Sequence, residues 1–162
     1  MRFERQQAFS GSVDDVVAIL RDPGFYPRLA ELEHLGDAEL LAERQTGTVI
    51  HLSVRYRLDI ELPHAARRWV SEDRLSMVEH SELDLAAGTG SFRILPDHYS
   101  ELLTCSGTYH FADLPPGSLR TMAGRLSVRV PFVGAKVERV VMDGLEVALS
   151  GIVATVDSTL AG

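Results

Sequence analysis

The final part of the chain constrains the fold most strongly, because it predicts one long amphipathic helix. From Phe132 to about Thr159, apolar residues recur close to every 3.6 positions, which is the period of an α-helix. The broad apolar side carries Val133, Val137, Val140, Val141, Leu145, Ala148, Ile152 and Val156. A helix of about 25 residues is about 38 Å long and can cross a whole small domain. It needs an equally long apolar surface to pack against.

The part of the chain before this helix alternates between apolar and polar residues, as strands do. The clearest segment runs from His51 to Glu61, whose apolar face carries Leu52, Val54, Tyr56, Leu58 and Ile60. Similar alternation predicts strands at Met1–Phe9, Asp37–Glu43, Arg67–Ser71, Leu75–Leu85, Tyr99–Phe111 and Met122–Val130. Gly88-Thr89-Gly90, Pro96-Asp97 and Pro115-Pro116-Gly117 are breakers or turns between strands. Strands joined by short turns pair as an antiparallel meander.

Two short helices are predicted between the first strand and the rest. Ser12 is a good N-cap for a helix from Val13 to Leu20, which Asp22-Pro23-Gly24 ends. Phe25 to Leu32 predicts a second short helix. The order is therefore β-α-α-β6-α, which predicts an α+β fold. We expect a curved antiparallel sheet of about seven strands around the long C-terminal helix, as one domain over residues 1–162.

Composition narrows the classes of function. The net charge of −7, with 16 basic against 23 acidic residues, disfavours nucleic acids and anionic membrane surfaces as partners. Cys105 is the only cysteine, so no intramolecular disulfide is expected, which fits a reducing compartment. The N-terminus has no apolar signal-peptide core, and no stretch approaches 18 continuous apolar residues. We therefore expect a cytoplasmic protein without membrane insertion.

Two segments resemble the START-like, or SRPBCC, superfamily, which includes the birch-pollen-allergen fold and aromatic polyketide cyclases. Residues 12–23, SVDDVVAILRDP, are similar to the family's first helix and its closing Asp-Pro. Residues 130–138, VPFVGAKVE, are similar to the junction between the last strand and the long helix in bacterial members. The resemblance implies a helix-grip fold. It also implies a cavity between sheet and helix for a lipid, a polyketide or an isoprenoid-like molecule.

The residues that we expect to line such a cavity come from both the sheet and the helix. The candidates are Tyr56, Met77, Glu79, Glu101, Leu103, Tyr109, Val137, Gly144, Ala148 and Gly151. Apolar walls with a few polar groups are typical of ligand sites. Two alternatives stay open: the helix glycines could mark close packing on the sheet, and bulges could turn both glutamates outward. Arg5, on the same face as Phe3 and Phe9, could pair with one of these acids inside.

No motif in the sequence assigns a catalytic activity. The six histidines are not at zinc-ligand spacing, and His51, His80 and His110 fall on polar strand faces. Cys105 lies on an apolar face, as a small buried residue would. The sequence contains no nucleophile elbow, phosphate loop or dinucleotide fingerprint. Neither a cofactor nor a metal is predicted.

Three classes of function remain open, and the oligomeric state is undetermined. The leading one is binding of an apolar small molecule in the cavity. The second is a cyclase or dehydratase, in which Glu79 or Glu101 with Tyr56 or Tyr109 would act as acid and base. The third is an interaction protein that keeps the fold with a filled cavity.

Overall fold

The computed structural model describes all 162 residues, and it confirms the predicted α+β helix-grip fold. Seven antiparallel strands form one curved sheet in the order β1-β7-β6-β5-β4-β3-β2. The strands are β1 Arg2–Phe9, β2 Leu35–Thr46, β3 Val49–Leu58, β4 Ser76–Asp84, β5 Thr89–Pro96, β6 Leu103–Leu114 and β7 Gly117–Val128. The α-helices are α1, Val13–Leu20, and α2, Gly134–Ala161. No helix combines the length and the apolarity that crossing a bilayer needs.

The two short helices form as their local sequence indicates, with one change of type. Ser12 caps α1, its Oγ accepting a hydrogen bond from the Asp15 amide at 3.1 Å. The next segment, Pro23–Glu31, is a 3₁₀ helix and contains Pro27. Proline has no N–H to donate within a helix, so it disfavours a regular α-helix here. This segment leads the chain from β1, at one edge of the sheet, toward β2 at the other.

The number of strands is as predicted, but one strand was placed wrongly and one was missed. The predicted strand Arg67–Ser71 is a turn region: 3₁₀ helix His64–Arg68 ends at Trp69, which is 47% exposed. The missed strand is β5, whose two ends overlap the predicted breakers at residues 88–90 and 96–97. Gly90 is part of this strand. The position requires glycine because a β-carbon there would collide with the Glu82 carbonyl oxygen on the neighbouring strand β4. A glycine therefore indicated close strand pairing here rather than a turn.

Helix α2 packs on the inner face of the sheet across two hydrophobic clusters. The first cluster contains Phe3, Phe92, Cys105, Val137 and Met142 among its buried residues. The second contains Phe9, Val16, Leu29, Phe111, Ala148 and Val156. The N-terminal half of α2 therefore contacts the first cluster, and its C-terminal half contacts the second and, through Leu149, also the first. The candidate site lies where the two clusters meet.

Candidate ligand-binding cavity

A cavity of about 100 Å³ lies between the sheet, the 3₁₀ helix Pro23–Glu31 and the C-terminal half of α2. Its walls are hydrophobic except for Glu79, Ser81 and Arg120. A second space of about 40 Å³ adjoins it and shares Ser81, Tyr109 and Arg120 as lining residues. The fold therefore leaves a hollow beside α2 that holds a small number of polar groups.

Cross-strand pairing explains why these side chains face the same way. Val54 on β3 is opposite Glu79 on β4, and Tyr56 is opposite Met77. Since residues directly opposite each other in an antiparallel pair share a face, all four line the cavity. Farther across the same face of the sheet, Tyr109 on β6 is opposite Met122 on β7, and both line the cavity too. Helix α2 closes the space with the apolar residues Leu145, Ala148, Leu149 and Ile152.

Glu79 is the carboxyl group of the cavity wall. The pairings of β4 with β3 and with β5 run without a bulge, so nothing turns Glu79 outward, and the bulge alternative is wrong for this residue. The Tyr109 hydroxyl donates a hydrogen bond to Glu79 Oε1 at 3.3 Å. Burial raises the pKa of Glu79, while the Arg120 charge and the Tyr109 hydrogen bond oppose that rise. The surroundings therefore favour the protonated carboxyl more than water does.

Arg120 is the basic group of the cavity wall, and no candidate drawn from the sequence included it. Its Nε and Nη2 atoms donate to Gln7 Oε1 at 2.8 and 2.5 Å. Gln7 is itself buried and donates from Nε2 to the Leu149 carbonyl of α2 at 3.2 Å. The guanidinium carbon also lies 5.1 Å from the centre of the Tyr109 ring, within cation–π range. The signal for Arg120 was present, because the alternation predicted for Met122–Val130 extends two residues backward to it.

Arg5 does not enter the cavity, so the interior pairing with Glu79 or Glu101 that the sequence left open is not formed. The Arg5 Nε atom lies 3.0 Å from Glu146 Oε1, at the surface of α2. Arg5 starts on the inner face beside Phe3 but lies on the edge strand β1. Its long side chain can therefore reach past α2 and keep its charge near water.

Three tyrosine side chains line the cavity together with Glu79 and Arg120. They belong to Tyr26, Tyr56 and Tyr109. Burial raises the pKa of each, and the nearby Glu79 charge adds to the effect. All three hydroxyls therefore stay protonated at neutral pH and can donate hydrogen bonds. Tyr26 already donates to the Leu20 carbonyl at 2.5 Å.

The structure brings five of the ten candidate residues together at the cavity. These are Tyr56, Met77, Glu79, Tyr109 and Ala148. Leu103 and Val137 belong to the first hydrophobic cluster instead. Glu101 is exposed in the turn before β6. The chain turns there, with Tyr99 at a φ of 61° and the Leu102 amide bonded to the Tyr99 carbonyl, so the strand alternation does not continue through Glu101.

The two helix glycines allow close packing, which was one of the two alternatives. A β-carbon on Gly144 would lie 3.0 Å from Ile60 Cγ2. A β-carbon on Gly151 would lie 2.9 Å from both δ-carbons of Leu32. Both glycines therefore sit against side chains at the margin of the cavity and do not line it.

Solved structures of low sequence identity share the fold over nearly the whole chain. ZhuI aromatase/cyclase from Streptomyces sp. R1128 has a TM-score of 0.65 at 14% identity, covering 99% of this chain and 95% of its own. Ara h 8.0201 has a TM-score of 0.59 at 12% identity, covering 98% of both chains. A START superfamily protein from Mycobacterium smegmatis has a TM-score of 0.54 at 15% identity, covering 94% of this chain and 97% of its own. The protein thus has the START-like helix-grip fold.

A family assignment follows from the sequence match. The model of the family described as "Protein of unknown function (DUF2505)" matches residues 4–156. The chain belongs to this family. A search of curated proteins found no match.

Proposed function

We propose that residues 1–162 form one domain that binds a small, mainly apolar molecule in the cavity between the sheet and α2. The observation that carries the proposal is a partly enclosed space with mainly hydrophobic walls, whose polar groups are Glu79, Ser81, Arg120 and three tyrosine hydroxyls. Binding sites for small molecules have this composition. The single cysteine, Cys105, agrees with a cytoplasmic place of action.

The size of the space sets the class of ligand. An engineered apolar cavity of about 150 Å³ in another protein takes up benzene. The cavity of about 100 Å³ and the adjoining 40 Å³ together approach that size. We expect a ligand the size of one ring or a short chain, whereas a larger polyketide or lipid requires α2 or the 3₁₀ helix Pro23–Glu31 to move outward. The remaining space also argues against an interaction protein with a filled interior.

The decisive test uses Ala148, which lines the cavity from α2. In Ala148→Leu the added carbons enter the cavity, so we expect binding of toluene, followed by saturation-transfer NMR, to fall at least tenfold. Val147→Leu is the matched control, because Val147 is exposed on the same helix. Equal toluene binding by both variants, or none by the wild type, would contradict the proposal. Native mass spectrometry of protein from its own host would then identify any co-purifying ligand.

A second candidate function is supported by the hydrogen bond between Tyr109 and Glu79 at the cavity wall. A protonated carboxyl in an apolar site can act as a general acid, as a cyclase or dehydratase needs. The test is conversion of a short added β-polyketone to an aromatic product, followed by absorbance. We expect Glu79→Gln to reduce conversion at least a hundredfold. If the wild type forms no product at any pH, binding alone remains.

A further inference from the structure

Arg120 places a positive charge in the cavity without a carboxylate partner. No carboxylate oxygen lies within 4.0 Å of its guanidinium group, in contrast to the ion pairs that Arg5, Arg21, Arg55, Arg57 and Arg67 make elsewhere. Its only protein acceptor is the neutral amide oxygen of Gln7, which Nε and Nη2 share. Nη1 therefore has no protein acceptor. An arginine side chain stays charged in proteins, and Arg120 is half-buried, so Nη1 can donate to a ligand in the cavity.

Aromatic rings surround this charge but do not neutralise it. The guanidinium carbon lies 5.7 Å from the Phe9 ring centre, 5.1 Å from that of Tyr109 and 6.0 Å from that of Phe111. These contacts hold the group in place through cation–π attraction. Gln7 adds to this by linking Arg120 to the α2 backbone at Leu149. The guanidinium is thus fixed before any ligand arrives, which lowers the cost of ordering it on binding.

The other charged group of the cavity does not cancel Arg120 under all conditions. Glu79 is faced by Tyr56 from β3, Tyr109 and Cys105 from β6, Tyr26 from the 3₁₀ helix and Arg120 from β7. The tyrosines and the cysteine are neutral, and α2 contributes only apolar residues. Glu82, beside the adjoining space, is paired with His51 at 3.2 Å. When Glu79 is protonated, the cavity therefore carries one net positive charge.

We propose that the cavity selects molecules that carry a small anionic group, such as a carboxylate, on an apolar body, and that Arg120 binds this group. The proposal rests on the proposed binding function. A guanidinium donates two parallel charge-assisted hydrogen bonds to a carboxylate, and the apolar walls would contact the rest of the ligand. The protonation state of Glu79 then adjusts affinity, because its ionised form repels the anion.

The test compares benzoate with toluene, two single-ring probes that differ mainly in the carboxylate. We expect the wild type at pH 5.5 to bind benzoate at least tenfold more tightly than toluene, measured by calorimetry and saturation-transfer NMR. In Arg120→Met this preference disappears. Arg93→Met is the matched control, because it removes the same charge from an exposed position on β5, two strands away from β7 in the same sheet, and there the preference persists.

The pH dependence provides a second readout that does not need the Arg120 variant to fold. Benzoate affinity should fall at least threefold between pH 5.5 and 8.5 in the wild type and stay constant in Glu79→Gln. If toluene binds but benzoate binds no better, or if the preference survives in Arg120→Met, the anionic-ligand inference is overturned and cavity binding stands. If neither probe binds, the proposed function fails as well.

Discussion

Glu79 and Arg120 are the residues where the chemistry of the cavity concentrates. Each lines the mainly hydrophobic cavity. They form no ion pair, because no Glu79 carboxylate oxygen lies within 4.0 Å of an Arg120 guanidinium nitrogen. Arg120 is held by Gln7 and by aromatic rings, whereas Glu79 has one hydrogen bond, from Tyr109. The effect of burial on Glu79 thus outweighs the opposing effects of the Arg120 charge and the Tyr109 hydrogen bond, so ionisation of Glu79 opposes folding.

Replacing Glu79 with glutamine should therefore stabilise the protein at alkaline pH. The pKa of Glu79 is raised in the folded state above its ordinary value of 4.5, so the native protein holds a proton that the unfolded chain has lost. The stability that Glu79 contributes through this raised pKa is fully present below pH 4.5 and is lost as the pH rises through the folded-state pKa. Each unit of that rise corresponds to about 1.4 kcal/mol.

Urea unfolding at pH 5 and pH 8 measures this effect. The free energy of unfolding of Glu79→Gln, relative to that of the wild type, should be higher at pH 8 than at pH 5. The exposed acid Glu101 provides the control Glu101→Gln, which should show no such change. Equal differences for Glu79→Gln at the two pH values would show that the carboxyl ionises as easily inside the protein as in water.

At the scale of elements, helix α2 divides into two parts with different tasks. Val137 and Met142 in its first half pack into the first hydrophobic cluster. Ala148 and Ile152 in its second half face the cavity. The periodicity of the helix predicted its apolar side, but both halves have the same periodicity. Only packing against the sheet shows which half is next to the hollow.

Gly151 tests this division, because it packs against Leu32 rather than facing the cavity. Gly151→Leu should lower the free energy of unfolding by about 1–3 kcal/mol, since the new side chain must displace Leu32. Toluene should still bind, because the added atoms lie outside the cavity. The measurement is urea unfolding beside the exposed control Val147→Leu. Unchanged stability with lost toluene binding would place Gly151 at the cavity wall instead.

At the scale of the whole molecule, the two hydrophobic clusters share their secondary structure. Strand β6 gives Cys105 and Tyr109 to the first cluster and Phe111 to the second. Helix α2 contributes to both clusters in the same way. Neither cluster can lose its packing without disturbing a strand and a helix that support the other. We therefore expect the domain to unfold in one cooperative step.

Phe111→Ala tests this cooperativity from the second cluster. Removal of the buried Phe111 ring should lower the free energy of unfolding by about 3–5 kcal/mol, as expected for a large side chain removed from a core. The only tryptophan, Trp69, lies next to Val70 of the first cluster. Trp69 fluorescence and far-ultraviolet circular dichroism should therefore report the same lowered urea midpoint. Separate midpoints for the two signals would show that the clusters unfold independently.

Features that depend on near neighbours in the chain could be predicted from the sequence. The period of α2, the Ser12 cap and the alternation of β3 and β4 all depend on residues a few positions apart. That is why Tyr56, Met77 and Glu79 were assigned to the inner face from the sequence, and why the helix-grip fold was predicted. The error at Trp69 has the same origin, because five alternating residues also fit a turn.

The sequence by itself determined the kinds of elements, their order and the inward faces of the central strands. The tertiary structure decided that β5 is a strand and that Arg120, rather than Arg5, is the positively charged residue of the cavity. It also decided that Gly144 and Gly151 pack closely against Ile60 and Leu32. It also decided that a hollow remains beside the second half of α2. These features depend on contacts between residues far apart in the chain, such as Gln7 with Arg120 and Leu32 with Gly151. No local pattern encodes such contacts, because they form only when strands and helix pack together.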